Sequence, residues 1–270
     1  MNALSFNYYI CPEGVSLRDF VKIAAAAGAK AVGLTVRSLN ENQPKDIRRL
    51  LEDSGLSVSS FNSIGYVLFG DPVKAAEQAH TNKRLITAAA ELQAETLVLV
   101  VGGISHGNWR IEDARTRISD ELAGLAEQAA LEKVQLGLEP IHPLGIGDKG
   151  CVNTIDQALS LVNCYENVGL VIDLFHSWWD PSLYRVFNDA LQKVRLVQIC
   201  NVVDLTIPGE PQRDVLDVGV IDIPSTLKSI RGSGYVGYFE FEMFSHHLRA
   251  RSVTSVVTDV ARQYSMIADI

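Results

Sequence analysis

Three acidic residues and one amide each stand where a short apolar run ends or gives way to a loop. Glu139 closes LGLE, Asp173 closes LVID, Gln198 lies in LVQI, and Glu242 closes FEFE. Carboxylate and amide oxygens are the ligands that hard or borderline divalent cations prefer. If the four side chains converge, they predict a site for one divalent metal ion. Mn²⁺ or Mg²⁺ is favoured, and Zn²⁺ or Co²⁺ is possible.

Carboxylates gathered in an apolar setting repel one another, which raises their pKa values unless a cation lies among them. A metal ion there polarises a substrate carbonyl, and a nearby carboxylate can remove a proton from the adjacent carbon. We therefore predict that Glu139 and Glu242 are catalytic as well as metal ligands. The last strand also offers Glu240, on the same face as Glu242 because strand side chains alternate. Glu242 is nearer to the strand end, so we favour it.

The elements that would position these residues form an eightfold alternation of short apolar runs and longer amphipathic runs. The short runs predict β-strands at 4–10, 31–36, 58–62, 96–101, 135–139, 169–173, 194–199 and 238–244. The longer runs predict α-helices at 17–27, 44–54, 73–92, 112–131, 154–164, 181–192, 224–231 and 251–267. Eight such units in 270 residues predict a closed parallel (β/α)₈ TIM barrel of the α/β class, with residues 1–270 as a single domain.

The barrel also predicts where the four polar residues lie. All carboxyl ends of parallel barrel strands meet at one mouth, and the last four strands are neighbours, so the four side chains are expected to converge. The longest irregular stretches, 141–153 and 201–222, follow strands and belong to the same mouth. An open doubly wound sheet is the alternative. Its first turn would commonly carry GxGxxG, whereas this chain has CPEGVSLRD there.

The composition narrows the class of protein. The chain is 47% apolar and 21% charged, which is typical of a globular protein, and its formal net charge of −8 disfavours a nucleic-acid partner. No apolar run reaches the roughly 18 residues of a membrane span. The start, MNALSFNYYICPEG, does not resemble a signal peptide, and the four cysteines show no CxxC spacing. We expect a cytoplasmic protein without membrane contact, and a homo-oligomer is possible.

Several stretches resemble the sugar phosphate isomerase/epimerase family of xylose-isomerase-like barrels: GLEPIHP, CVNTIDQAL, VIDLFHSWWDP, GVIDIP and GYVGYFEFEMFS. The superfamily also includes hydroxypyruvate isomerase, inosose dehydratase, ketose 3-epimerases and endonuclease IV. The resemblance, which covers roughly residues 130–250, places the metal ligands of the family on Glu139, Asp173, Gln198 and Glu242. The ligand on the seventh strand is commonly His. The substitution by Gln198 keeps an oxygen ligand and makes Zn²⁺ less favoured.

The resemblance also implies contacts with the substrate. His176 matches the histidine of a DxxH motif, and Arg213 matches an arginine that precedes a glycine-containing turn. His142 on the fifth loop and Trp178 on the sixth are further candidates, with loop polarity or loop packing as the alternative for each. The neighbouring pair His246-His247 is predicted to lie on the surface.

Together these features predict a metal-dependent isomerase or epimerase that acts on a small ketose, aldose or other hydroxy-carbonyl compound through an enediolate. A substrate without phosphate is favoured, because the chain shows no Gly-rich cradle or lysine cluster. A dehydratase of the inosose type is the alternative, since it needs the same acid–base pair. An AP-endonuclease-like enzyme is less favoured because the third and fourth strands lack histidines. A non-catalytic sugar-binding barrel is less favoured because Glu139 and Glu242 are both present.

Overall fold

Eight parallel strands close into a barrel, as the alternation predicted. The computed structural model describes residues 2–40, 42–205 and 211–268. The strand order around the barrel is β1-β10-β7-β6-β5-β4-β3-β2, so that the first and last barrel strands pair. The barrel strands are β1 (Leu4–Asn7), β2 (Ala31–Thr35), β3 (Ser57–Gly65), β4 (Leu97–Val100), β5 (Leu136–Leu138), β6 (Val168–Asp173), β7 (Val194–Ile199) and β10 (Phe239–Phe241).

Helices follow the strands and pack on the outside of the barrel. They are α1 (Leu17–Ala26), α2 (Pro44–Asp53), α3 (Pro72–Leu92), α4 (Ile111–Leu131), α5 (Ile155–Val162), α6 (Leu174–Ser177), α7 (Leu183–Asp189), α8 (Ile223–Gly232) and α9 (Val253–Ala268). Short 3₁₀ turns lie at Tyr8–Ile10, Val36–Leu39, Ile104–His106, Pro143–Gly145, Leu191–Lys193 and Ser245–Leu248. Each predicted helix is present within three residues of its expected bounds. None of the helices in the described ranges is both long and apolar enough to cross a bilayer.

Side-chain caps fix several helix starts. The Ser16 side chain accepts the backbone N–H of Asp19 at the start of α1. Thr154 and Gln157 form a reciprocal capping box at the start of α5. These bonds satisfy N–H groups that the first helical turn leaves without an intrahelical partner. The α5 start is also held by Asp180, whose Oδ2 accepts the N–H of Ile155 at 2.7 Å. Asp180 thus links the fifth and sixth βα loops below the barrel mouth.

The first strand and the stretch at 201–222 differ from their predicted structure at the mouth. The first strand ends at Asn7 because the Asn7 side chain accepts the N–H of Tyr9 at 3.0 Å and turns the chain into a 3₁₀ turn. The stretch at 201–222 was predicted to be irregular, but its described part contains a hairpin of β8 (Asn201–Val203) and β9 (Gln212–Asp214). This hairpin follows β7 directly and carries a buried side chain to the mouth of the barrel.

The interior of the barrel is divided into an apolar and a polar side. The apolar side is a separate small cluster formed by Val98, Val100, Ile141, Val171 and Leu196. We call the other side the inner polar layer, which consists of Ser5, Asn7, Ser59, Ser60, Gln198 and Glu240. Gly33 makes room for this layer, since a Cβ there would lie 2.5 Å from Glu240 Oε2. Because all these polar side chains are buried, each needs hydrogen-bond partners inside the barrel.

Candidate active site

A cavity of about 370 Å³ opens at the mouth formed by the carboxyl ends of the strands. Glu139, His176, Arg213 and Glu242 line it. Glu139 follows β5 directly, and Glu242 follows β10. Parallel strands bring their ends to one side of a barrel, so residues more than one hundred positions apart in the sequence share one cavity.

Asp173 and Gln198 lie beside this cavity, at matching heights on neighbouring strands. Asp173 ends β6 and is the register partner of Gln198 in β7. Both side chains are fully buried. Ligand atoms of Glu139, Asp173 and His176 lie within 4.8 Å of one another. The structure therefore brings the predicted polar residues of strands five to eight to one end of the barrel.

Arg213 of β9 enters this group from the hairpin. Its Nη2 lies 2.6 Å from Asp173 Oδ2 and its Nη1 3.3 Å from Oδ1, a two-point ion pair. The same Nη2 lies 3.4 Å from Glu242 Oε1. The guanidinium also stacks on the Phe175 ring, 4.1 Å from its centroid. Arg213 was predicted to bind substrate; here its charged end contacts two of the predicted metal ligands.

Two carboxyl groups at the mouth have raised pKa values. Burial, and then the charge of Asp173, raises the pKa of the Glu139 carboxyl to about 8, although the charges of Arg213 and Lys149 oppose this rise. Burial also raises the pKa of Glu242 well above its usual range, and the charge of Arg213 opposes this. A divalent cation would supply the missing positive charge, because it favours the ionised form of each carboxyl that it contacts.

Gln198 adds an uncharged oxygen. Its Nε2 donates to Glu242 Oε2 at 2.5 Å and to Glu240 Oε1 at 3.0 Å. Its Oε1 is buried and has no hydrogen-bond partner among the described residues. Such an unpaired buried acceptor lowers the free energy of unfolding by about 1–3 kcal/mol. A cation bound to Oε1 would remove this penalty, so the donor set fits a divalent ion.

The hydrogen bonds of His176 decide which ring nitrogen carries the proton. Its Nδ1 accepts the backbone N–H of His142 at 3.2 Å. Burial lowers the pKa of His176 to about 3, so the ring is neutral and its proton lies on Nε2. That nitrogen lies 3.8 Å from Glu139 Oε1 and 3.9 Å from Asp173 Oδ2. A metal ligand must offer a lone pair, whereas this tautomer offers a donor. The ring is therefore arranged to donate to an oxygen in the cavity.

Comparison with known proteins places this chain in a family. Residues 21–264 match the model of the xylose isomerase-like TIM barrel family. The chain belongs to that family. The resemblance and the barrel class predicted from the sequence are thereby confirmed. A search of curated proteins gave no match.

Solved structures with the same fold cover nearly the whole chain. A protein from Sinorhizobium meliloti 1021 is 27% identical, with a TM-score of 0.88 and 98% of both chains covered. The IOLI protein with a bound zinc atom is 18% identical, with a TM-score of 0.79, 98% of this chain and 96% of that chain covered. An L-ribulose 3-epimerase is 17% identical, with a TM-score of 0.75, 100% of this chain and 99% of that chain covered.

Two side chains predicted to contact substrate lie outside the cavity lining. The His142 ring packs edge-on against Trp179 at 5.6 Å, and its Nδ1 accepts the N–H of Leu144. Trp178 is the C-cap residue of α6 and packs against the hydrophobic core. Both residues follow strand ends, as expected from the sequence. Their direct contact with a substrate stays a prediction.

The prediction that His246-His247 is a surface pair is wrong for His247. A 3₁₀ turn after β10 folds the pair back over the mouth, so both rings line the cavity. His247 is buried, and burial, with His246 beside it, lowers its pKa to about 3. The ring of His246 stacks on Phe244 at 5.8 Å. Tyr9, also on the cavity wall, lies against Phe244 at 4.9 Å. The position of these residues just after strand ends was the signal that could have identified them.

Glu240, the alternative ligand on the last strand, faces the inner polar layer. Ser59 donates to its Oε2 at 2.6 Å, and Ser60 lies 2.8 and 2.9 Å from the two oxygens. Asn7 and Gln198 donate to Oε1 at 2.9 and 3.0 Å. Both oxygens of Glu240 are occupied by protein donors. Glu242, with Arg213 and two amides as its partners, is the carboxylate on this strand that faces the cavity.

Proposed function

We propose that the chain is a divalent-metal-dependent isomerase or epimerase of small hydroxy-carbonyl sugars. The observation that supports this most strongly is the group of buried carboxyl groups that converge at the barrel mouth, among which Glu139 and Glu242 have raised pKa values. Glu139, Asp173 and Glu242 would hold the ion together with Oε1 of Gln198. A divalent ion bound there would polarise a carbonyl and stabilise the negative charge that develops on its oxygen.

The proposed ion is Mn²⁺ or Mg²⁺, because three carboxylates and an amide form an all-oxygen ligand set. His176 adds no nitrogen ligand, since its Nε2 carries the proton. Zn²⁺ and Co²⁺ stay as candidates. The similar IOLI protein holds zinc, and carboxylates also bind zinc.

Two carboxylates would move the proton. Glu139 comes from β5 and Glu242 from β10, and β6 and β7 separate these strands around the barrel. The two carboxylates therefore reach the cavity from different sides. One would remove the proton from the carbon next to the carbonyl, and the other would return a proton to the resulting enediolate. Return to the other face gives an epimer, and return to the neighbouring carbon gives an aldose–ketose pair.

Other residues would hold the substrate. The Nε2–H of His176 would donate to a substrate oxygen, and Arg213 would hold Asp173 and Glu242 in place. A cavity of about 370 Å³ is near the lower end of the usual range for small-molecule sites. The rings of Tyr9 and Phe244 offer an apolar surface for the C–H face of a sugar. The similarity to an L-ribulose 3-epimerase is consistent with a substrate of this size.

Metal analysis followed by a sugar panel in D₂O tests the proposal. We expect one divalent ion per chain, and deuterium at the carbon next to the carbonyl in the recovered sugar. Protein treated with EDTA is the control and should show no exchange until Mn²⁺ is added. A product that lacks one water molecule would favour the dehydratase alternative. Metal-dependent cleavage of abasic DNA, or the absence of both metal binding and exchange, would contradict the proposal.

A further inference from the structure

Glu240 has no role in the proposed chemistry, yet it is a fully buried carboxylate two residues from Glu242. It is the register partner of Gln198 in the next strand, β7. Gln198 is in turn the register partner of Asp173 in β6. The Gln198 amide therefore lies between a proposed metal ligand on one side and Glu240 on the other.

A glutamine ligand has an orientation problem that a carboxylate does not share. Only the oxygen end of the amide can bind a cation, whereas the nitrogen end is a donor. In this chain, Nε2 of Gln198 faces Glu240 Oε1 and Glu242 Oε2. A reversed amide would place its oxygen against both carboxylates and its N–H₂ group on the opposite side. The two acceptors thus favour the arrangement in which Oε1 is available.

Glu240 can act in this way because it is itself held by donors from strands other than the one that carries Gln198. Ser59 and Ser60 of β3 donate to it, and Ser59 also shares a hydrogen bond of 2.6 Å with Ser5 of β1. Asn7 of β1 donates to the same oxygen that accepts from Gln198. These bonds fix the position of the carboxylate without using a positively charged partner.

We propose that Glu240 is a positioning residue that orients the Gln198 amide, so that Oε1 faces the divalent ion. The inference rests on the proposed metal-dependent function, because it concerns a ligand of that ion. The inner polar layer would then take part in metal binding through Glu240. Residues that hydrogen-bond to metal ligands typically change metal affinity about 10–100-fold when they are replaced.

Two substitutions separate orientation from charge. In Glu240→Gln, the new oxygen can take the Oε1 position and accept from Asn7 and Gln198. The new N–H₂ group can donate to the hydroxyls of Ser59 and Ser60, which are able to accept. Glu240→Gln therefore removes the charge but keeps the acceptor. Glu240→Met keeps a side chain of similar length and removes both the charge and the acceptor. Any loss of affinity in the Met variant beyond the Gln variant measures the lost acceptor.

The measurement is Mn²⁺ affinity by isothermal titration calorimetry, with circular dichroism and thermal unfolding of the metal-free proteins as checks of folding. We expect the Met variant to bind Mn²⁺ at least about tenfold more weakly than the Gln variant. The same two substitutions are then made in a Gln198→Ala background, which has no amide to orient, and the Mn²⁺ affinities are measured again. There the two affinities should be nearly equal, because the coupling between positions 198 and 240 is lost.

The outcomes are distinct. Equal affinities of the Met and Gln variants in the Gln198 background would overturn the inference while leaving the metal site intact. An unchanged tenfold difference in the Gln198→Ala background would also overturn it, because Glu240 would then act through another ligand. A wild-type protein that binds no Mn²⁺ would instead contradict the proposed function and the inference with it. If the Met variant fails to fold, Glu240→Ala replaces it, with the same expected direction.

Discussion

Glu240 and Glu242 are the same residue type on the same face of the same strand, and both are buried. Glu240 lies in the inner polar layer, where hydroxyls and amides from β1, β3 and β7 surround it. Glu242 lies at the mouth, where it contacts Arg213, Asn7 and Gln198 and borders an open cavity. One carboxylate is surrounded by protein donors and the other borders space that a ligand can enter.

The contrast shows what separates a structural carboxylate from a candidate catalytic one. The hydrogen bonds from neutral donors to Glu240 occupy the lone pairs of its oxygens and leave none for a ligand. At the mouth, burial raises the pKa of Glu242 well above its usual range even though Arg213 is close. A group with a perturbed pKa in a cleft is the better candidate for chemistry. Each prediction below changes one side of this contrast.

The largest effect is expected at the mouth. Glu139→Gln and Glu242→Gln keep an oxygen ligand and the side-chain volume but remove the base. A positioned general base contributes about 10²–10⁴-fold to rate. We therefore expect each variant to retain much of its metal and to lose turnover and deuterium exchange by that order. Exposed Glu127→Gln on α4 is the matched control and should behave like the wild type.

The same substitution in the inner polar layer should have a much smaller effect, because Glu240→Gln keeps the acceptor for Gln198. A variant of Glu139 or Glu242 that keeps its metal and turns over at a near-normal rate would show that this residue is a ligand only. A loss in Glu240→Gln as large as in Glu242→Gln would remove the distinction between the two regions.

The barrel was predictable because local sequence patterns indicate each strand and helix. These patterns are the apolar periodicity and helix caps such as Ser16 and Thr154. The strand-end carboxylates could be placed at one mouth for the same reason. What could not be predicted were partners that come from distant segments. Nothing near position 240 indicates that Ser59 and Ser60 will approach it from the third strand. The hairpin that brings Arg213 to the carboxylates also depends on tertiary contacts. The same is true of the turn that places His247 over the cavity.

Removal of the Arg213 charge is expected to have the next largest effect, on stability. Arg213→Met leaves Asp173 and Glu242 buried without the cation that contacts both. Loss of one partner of a buried ion pair typically costs about 3–5 kcal/mol. Urea unfolding of the metal-free protein should show a loss of this size, and Mn²⁺ should restore part of it. An Arg213→Met variant as stable as the wild type in EDTA would mean that the contacts of Arg213 with the two acidic side chains do not stabilise the metal-free fold.

A pH dependence of metal binding is expected next. Burial, and then the charge of Asp173, raises the pKa of Glu139 to about 8, whereas a free glutamate titrates near 4.5. The metal-free fold is therefore stabilised by the protonated form at low pH and loses this stability as pH rises through about 8. Metal ligands must be deprotonated, so Mn²⁺ affinity should rise with pH, by up to about tenfold per unit below 8 for one released proton.

Calorimetry in buffers of different ionisation enthalpy measures the proton released on binding, and thermal unfolding with and without Mn²⁺ measures the stability. The stabilisation by Mn²⁺ should grow between pH 6 and pH 8. Glu139→Gln is the control, because it has no carboxyl at this position and should show a weaker pH dependence. An affinity that is flat over this interval in the wild type would mean that Glu139 is already ionised in the metal-free protein.

The smallest effect is expected in the inner polar layer, at Gly33. A Cβ at this position would lie 2.5 Å from Glu240 Oε2 and 2.7 Å from Ser60 Oγ, closer than real Cβ contacts. Both neighbours are held by hydrogen bonds, so Gly33→Ala must displace the carboxylate or the strand, and overpacking of this kind costs about 1–3 kcal/mol.

Gly124→Ala is the matched control, since its Cβ would meet nothing within 4 Å on the exposed face of α4. There alanine should stabilise the helix by up to about 1 kcal/mol. Chemical unfolding of both variants gives the comparison, and a Gly33→Ala protein as stable as Gly124→Ala would show that the Glu240 carboxylate is not tightly confined.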